Sequence, residues 1–200
     1  MSAVLEPYLT PDEYLSIERK AGYKSEYSDG EMYAMSGASR EHNLTSLNFA
    51  SELRAQLRGK PCETYIADMR VRISPPRQYL YPDVVVACGD AEFDDDTVDT
   101  LINPVLVVEV LSPSTENYDR STKFNWYRRI ESLQEYVLIS QQTPCVERFV
   151  KRAEGWMYSD IEGLNAAIRL ESIDCTLALS DIYNRVAFPN PESDTSAVTD

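Results

Sequence analysis

Two stretches of this chain set a carboxylate among strand-forming apolar residues. They are Tyr81-Pro82-Asp83-Val84-Val85-Val86 and Val105-Leu106-Val107-Val108-Glu109-Val110-Leu111, the second leading into Ser112-Pro113-Ser114. A run such as 105–111 has the pattern of a fully buried strand, apolar on both faces. An ionised carboxylate there costs on the order of several kcal/mol unless a partner binds it. Two of them on neighbouring strands point to a shared ligand, and a divalent cation fits. Side chains alternate along a strand, so Asp83 is expected on one face with Val85 and Ala87, and Glu109 with Val107 and Leu111. If the strands pair, the carboxylates meet. Two carboxylates and water suit magnesium, which prefers oxygen ligands and keeps several waters. Such an ion can polarise a phosphoryl oxygen and supply hydroxide near neutral pH. A nearby ammonium would stabilise charge developing in the transition state. Lys123 is the candidate, because Arg120, Lys123 and Tyr127 recur at helical spacing on one face of the segment after Glu109.

The elements that must position these residues are legible in outline. Thr10-Pro11-Asp12-Glu13 is a helix start, with Thr10 as N-cap and Glu13 closing a capping box, and the helix should run to about Lys20. Lys24–Tyr27 and Glu31–Met35 flank Ser28-Asp29-Gly30 as a hairpin. A second helix is expected from near Ser39 to Arg58, with Leu44, Leu47, Ala50, Leu53 and Leu57 at helical spacing and Gly59-Lys60-Pro61 as its stop. Strands are expected at 63–66, 70–73, 81–86 and 105–111. A third helix follows from Ser114 or Thr115 to Ile130, with Glu116 early and Arg128 and Arg129 late, as the helix dipole favours. Further strands are predicted at 135–140, 145–151, 155–158 and 167–170, and a short helix at 179–184. Residues 1–188 form one mixed α/β domain in this reading, and 189–200 a disordered acidic tail.

Composition narrows the class. A chain of 200 residues, 43% hydrophobic, can bury one proper core. Residues 1–20 lack an apolar stretch behind a basic start, and no apolar run approaches the roughly 18 residues of a membrane span. Cys62, Cys88, Cys145 and Cys175 are scattered and the chain has a single histidine. That opposes a zinc site and a disulfide framework, so reduced cysteines in a cytoplasmic protein are expected. The net charge of −14 opposes tight, unassisted DNA binding. The charge is uneven, however. Residues 90–99 hold six acids and no base and are expected to form a solvated loop. Basic residues gather at 54–60, 70–77 and 120–129, which leaves room for a local basic groove.

Pro82-Asp83 followed by Glu109 in a hydrophobic strand resembles the PD-(D/E)XK nuclease core. The wider pattern is similar to its Uma-type family of restriction-endonuclease-like proteins. The matching pieces are Glu26-Tyr27-Ser28-Asp29-Gly30-Glu31, Ser39 to His42, Tyr81-Pro82-Asp83, Val108 to Ser114, Asp119 with Lys123, and Tyr127 with Glu135-Tyr136. They span about residues 10–185, and Glu-Val-Leu-Ser-Pro-Ser followed nine residues later by Lys123 is the specific part. The resemblance implies a restriction-endonuclease-like core of α/β (α+β) class, a central mixed sheet flanked by helices. It implies magnesium-dependent hydrolysis of DNA phosphodiester bonds, with manganese as a substitute, and often a homodimer. By that likeness Asp83 and Glu109 are metal ligands, with the Val110 backbone carbonyl a third. The lysine expected two residues after the glutamate is Leu111 here, so Lys123 would fill that role from the helix.

Each residue also has a plainer account. Asp83 could start a strand or cap a turn, and Glu109 could pair with Arg70 or Arg72. Lys123 could be an exposed helix lysine. Glu26 could orient the site or hold a second cation, and a hairpin edge explains it equally well. His42 could be catalytic, or could cap and pack near a helix start. Asp119 reads as a solvated helix acid, and Trp126, Tyr127 and Tyr136 as core or dimer contacts. Two functions stand beside the endonuclease: a catalytically lapsed dimeric binding module, favoured by the acidic balance and Leu111, and a metal-dependent hydrolase of a smaller phosphoester.

Overall fold

The computed structural model describes residues 8–75 and 77–189. Helix α1 (Pro11–Glu18) opens with the expected box: the Thr10 side chain accepts from the Glu13 amide, and the Glu13 carboxylate accepts from the Thr10 amide. Strands β1 (Ser25–Ser28) and β2 (Glu31–Ala34) form a hairpin, with Asp29 and Gly30 both at positive φ, the backbone a two-residue turn between twisted strands requires. Helix α2 (Arg40–Gln56) is capped by the Ser39 side chain. Strands β3 (Cys62–Ile66), β4 (Arg70–Ile73), β5 (Gln78–Leu80), β6 (Val84–Cys88), β7 (Thr100–Leu101) and β8 (Leu106–Val110) follow. A helical stretch then comprises α3 (Glu116–Tyr118), a π-helical turn (Asp119–Lys123) and α4 (Phe124–Tyr127). The chain continues through β9 (Glu135–Ile139), β10 (Cys145–Arg152), β11 (Gly155–Glu162), β12 (Ala167–Leu170), β13 (Cys175–Ala178) and α5 (Leu179–Ile182).

One sheet has six strands in the order β11-β10-β9-β8-β6-β3, and a second has five in the order β2-β1-β5-β4-β7. Strand β8 is antiparallel to β6 and parallel to β9, so the sheet is mixed, and the helical stretch is the crossover a parallel pair needs. The six-stranded sheet lies between two cores. On one side Val84, Val86, Leu106 and Val108 pack with Phe49 and Leu53 of α2. On the other Val85, Val107 and Leu111 pack with Val71, Leu80, Phe124 and Tyr127. Burial on both faces is what the unbroken valine and leucine runs encode, each such side chain contributing about 1.5–3 kcal/mol.

Several expectations are corrected. The segment 81–86 is not one strand: β5 ends at Leu80 and β6 starts at Val84, leaving Tyr81-Pro82-Asp83 as the bend where the chain passes from the five-stranded to the six-stranded sheet. Pro82 has no amide hydrogen to give a ladder there. Leu47 of α2 is 56% exposed, and the helix buries Thr45 and Phe49 instead. Strands β5, β7 and β13 lie outside the expected strands. Cys62 and Cys88 are not reduced. They are direct partners in the antiparallel β3–β6 ladder and are joined as a disulfide, while Cys145 and Cys175 are free thiols. A register 26 residues apart leaves no local cysteine motif to read. The acidic segment 90–99 is not simply solvated. Asp95 and Asp99 clasp Arg19, Asp99 also pairs with buried Arg70, and Asp94 holds Arg72 and Tyr79. Residues 190–200 of the expected tail lie outside the described residues. Among the described residues, no helix is long and apolar enough to cross a membrane.

Candidate active site

The carboxylate-bearing strand β8 delivers Glu109 to the floor of a cleft of about 1290 Å³. Val84 is opposite Val108 in the β6–β8 register, so Asp83, one residue before β6, comes up beside Glu109 and Val110. The contact is direct: the Val110 amide donates to Asp83 Oδ2 at 2.7 Å. His42, in the first turn of α2, places Nε2 3.1 Å from the same oxygen. Its position follows from the Ser39 cap, whose hydroxyl receives the His42 amide at 3.0 Å. That hydroxyl also donates to Gln141 Oε1 at 2.9 Å, and the Gln141 amide donates to the Leu111 carbonyl at 2.7 Å. The start of α2 and the ends of β8 and β9 are thereby tied together under the cleft.

Lys123 reaches the same floor from the π-helical turn. Its Nζ lies 3.0 Å from Glu26 Oε1, 3.2 Å from Glu109 Oε1 and 3.4 Å from Asp119 Oδ1, and the side chain is 8% exposed. The plain account of Lys123 as a surface lysine is therefore wrong. The local reason is the turn itself. Asp119 and Lys123 both face inward from its i, i+4 positions, and such wide turns recur at functional sites. Leu111 shares the face of Glu109, as the alternation required, but packs into the core with Phe124 and Tyr127. The ammonium comes instead from the crossover.

Glu26 enters from β1 of the other sheet; its Oε1 accepts the Tyr81 amide at 3.4 Å, and its Oε2 the Tyr118 hydroxyl at 3.4 Å. The Tyr118 ring also lies 5.6 Å from Lys123 Nζ, a cation–π distance. The Tyr127 hydroxyl donates to Glu109 Oε1 at 3.3 Å, and the Tyr136 hydroxyl to the Asp119 carbonyl at 3.0 Å. Asp119 is thus no solvated acid, being only 3% exposed. Sequence reasoning set Asp119 beside Lys123 in the family resemblance but read it as a solvated acid, and it missed Tyr118 and Gln141 as members of the site. For Asp119 the signal was present in its four-residue spacing from Lys123; for the other two nothing in the sequence marked them. Glu109 does not pair with Arg70 or Arg72, which are held by Asp99 and Asp94.

Charge explains the electrostatics. Burial first, then Asp119, Asp83 and Glu26, push the Glu109 carboxyl well above the usual range, against the opposing pull of Lys123. Burial alone would lower Lys123, but Glu109, Glu26 and Asp119 outweigh it and keep the ammonium charged well above its ordinary range. Four carboxylates, Glu26, Asp83, Glu109 and Asp119, therefore face one lysine and one histidine. Asp119 Oδ1 is buried, and among the described residues it accepts no hydrogen bond, its one close charge being the Lys123 ammonium at 3.4 Å. Such an anion-rich, all-oxygen set suits a hard divalent cation. Among the described residues no three His, Cys, Asp or Glu side chains already stand as a ligand group. A cation here would draw on two carboxylates, a main-chain oxygen and water, which is how magnesium is commonly held.

Mixed sheets, flanking helices and a lysine–carboxylate floor define a restriction-endonuclease-like protein of α+β class. In keeping with that fold, a crystal structure described as "a putative nuclease belonging to DUF820", from Anabaena variabilis ATCC 29413, superposes with a TM-score of 0.72. It covers 88% of this chain and 97% of that one at 16% identity. Residues 11–180 match the Uma2 family, "Putative restriction endonuclease", and the chain belongs to it. Two uncharacterized proteins of Synechocystis sp. are similar over most of their length. One is 36% identical over 183 residues, 91% of this chain and 95% of the relative. The other is 38% identical over 161 residues, 80% of this chain and 91% of the relative.

Proposed function

We propose that this chain is a magnesium-dependent endonuclease that hydrolyses DNA phosphodiester bonds. The observation that carries the reading is Lys123 Nζ within 3.4 Å of Glu26, Glu109 and Asp119 on a cleft floor that also holds Asp83. Asp83 and Glu109, with the Val110 carbonyl, are the residues that would hold the cation. A bound divalent ion would lower the pKa of water and neutralise phosphoryl charge, and manganese could replace magnesium. The protein groups have separable tasks. Lys123 offers a charged ammonium to the phosphoryl oxygens as negative charge develops. Glu26 and Asp119 keep that ammonium protonated. Tyr127 orients Glu109, while His42 and the Val110 amide orient Asp83.

One observation favours a second reading, a binding module without turnover: Lys123 is already held by three carboxylates, so its charge is largely neutralised before substrate arrives. A single assay separates the two. Plasmid and oligonucleotide DNA are incubated with the protein and magnesium or manganese, beside Asp83→Ala, Glu109→Ala and an EDTA control. Cleavage by the wild type, lost in both variants and in EDTA, is the expected result. Cleavage that survives both substitutions sinks the nuclease reading. Magnesium binding with no cleavage of any nucleic acid favours the binding module.

A further inference from the structure

The walls of the cleft differ in character from its floor. Tyr33 of β2 is the direct cross-strand partner of Glu26, so its ring stands on the same face, beside the carboxylate that touches Lys123. Its hydroxyl donates to Glu31 and the residue is 50% exposed, and Tyr23, also lining the cleft, is 66% exposed. Leu47 and Ile66 extend this rim, at 56% and 51%. Cationic side chains are scarce. Among the described residues the lysines lining the cleft are Lys24 and Lys123, and no arginine lines it. Lys24 is engaged, 3.1 Å from the Ala67 carbonyl and 3.0 Å from Asp68. Lys123 is buried. Arg40, at the start of α2, pairs with its neighbour Glu41. The arginines beyond the cleft at 19, 70, 72 and 120 are paired with Asp95 and Asp99, Asp99, Asp94, and Glu147 respectively.

Duplex binding draws its affinity from lysines and arginines that neutralise phosphates along the backbone, typically about 6–10 of them. Among the described residues this cleft has no such track, and the chain as a whole carries a charge of −14. Exposed aromatic rings offer a different source of affinity, because any unpaired base can stack on them whatever its sequence. In an intact duplex the base faces are hidden within the stack. We infer that the cleft takes unpaired single-stranded DNA, with bases stacked on Tyr33 and Tyr23 next to the scissile phosphate. This rests on the nuclease reading of the site and names its substrate class.

The test reads binding apart from turnover. The full-length wild-type protein, with metal chelated by EDTA, is titrated against a single strand containing 2-aminopurine and against the same strand in duplex. Fluorescence quenching is expected with the single strand alone. Its Kd should rise less than about tenfold between about 50 and 200 mM salt, against the roughly 10³–10⁵-fold loss of a protein that grips many phosphates. Tyr33→Ala should weaken binding about tenfold and Tyr33→Trp should retain it, because stacking on one aromatic contributes on the order of a decade in affinity. Tyr23→Ala should weaken it in the same direction. Preference for the duplex with a steep salt dependence overturns the inference, as do unchanged binding by Tyr33→Ala and absence of binding. A protein that fails to cut DNA with magnesium yet shows this quenching refutes the nuclease reading and leaves the stacking inference standing.

Discussion

The imidazole of His42 and the backbone amide of Val110 meet on one oxygen, Asp83 Oδ2, at 3.1 and 2.7 Å. One contact comes from α2 and the other from β8, so the orientation of Asp83 is set by two elements on opposite sides of its own bend. Partners of this kind around metal-binding carboxylates typically matter about 10–100-fold in metal affinity or activity. His42→Ala is therefore expected to weaken magnesium affinity and cleavage by about that factor while leaving the melting temperature nearly unchanged. His42→Gln, able to donate to the same oxygen, should recover part of the loss. Calorimetric magnesium titration beside thermal melting checks this. Unaltered magnesium affinity in His42→Ala would remove His42 from the site.

Lys123 is both the cation of the floor and a structural counter-charge. Replacing it with alanine leaves Glu26, Glu109 and Asp119 buried without their partner, and breaking a buried pair in this way costs about 3–5 kcal/mol. Lys123→Ala should thus lower the urea midpoint strongly as well as abolish cleavage. Lys123→Met, which keeps most of the stem, should lose activity to the same degree but less stability, because its packing is retained. Equal midpoints for wild type and Lys123→Ala would show that the carboxylates do not depend on the ammonium.

Much of this arrangement could be read before the structure, for identifiable reasons. The run 105–111 announced a strand buried on both faces, and alternation placed Glu109 with Val107 and Leu111 on the side where they lie. Thr10, Asp29-Gly30 and Ser39 are local signals, and α1, the hairpin and α2 begin or turn where they indicated. What escaped depends on distant contacts. Asp119 is an ordinary helix acid until the crossover folds it against Lys123. Residues 90–99 look solvated until Arg19, 80 positions away from Asp99, closes on them. The Cys62–Cys88 pairing exists only in the register of β3 with β6. Tyr81-Pro82-Asp83 looks like strand in sequence because valines follow it, whereas the proline marks the passage between sheets.

Cation binding should be visible as stability. A ligand that binds only the folded state adds about 2.7 kcal/mol at one hundred times its Kd. For a chain of this size that corresponds to a rise of about 5–10 °C in melting temperature. Magnesium and manganese should produce the shift in wild type, and EDTA should reverse it. Asp83→Asn and Glu109→Gln, similar in shape but uncharged, should show none. A shift of full size in both variants would place the bound ion elsewhere on the protein.

Acid stability should trace to the clasp between α1 and the acidic segment. Arg19 first, then Arg70, hold the Asp99 carboxyl well below the usual carboxylate range. A carboxyl depressed in the folded state stabilises the protein at pH above its unfolded pKa of about 3.9. That contribution is lost as pH falls below this value and through the folded one, because the unfolded chain then binds the proton first. Asp99→Asn should destabilise the protein at neutral pH by about 2 kcal/mol, toward the low side for a buried pair because Asp99 is partly exposed. The gap between variant and wild type should narrow from about pH 4 downward as the wild type loses the charge that Asp99→Asn never had. Urea titrations at pH 7, 5 and 3 measure that gap directly. A difference that stays constant across them would mean that Arg70 and Arg19 are held by something other than the Asp99 charge.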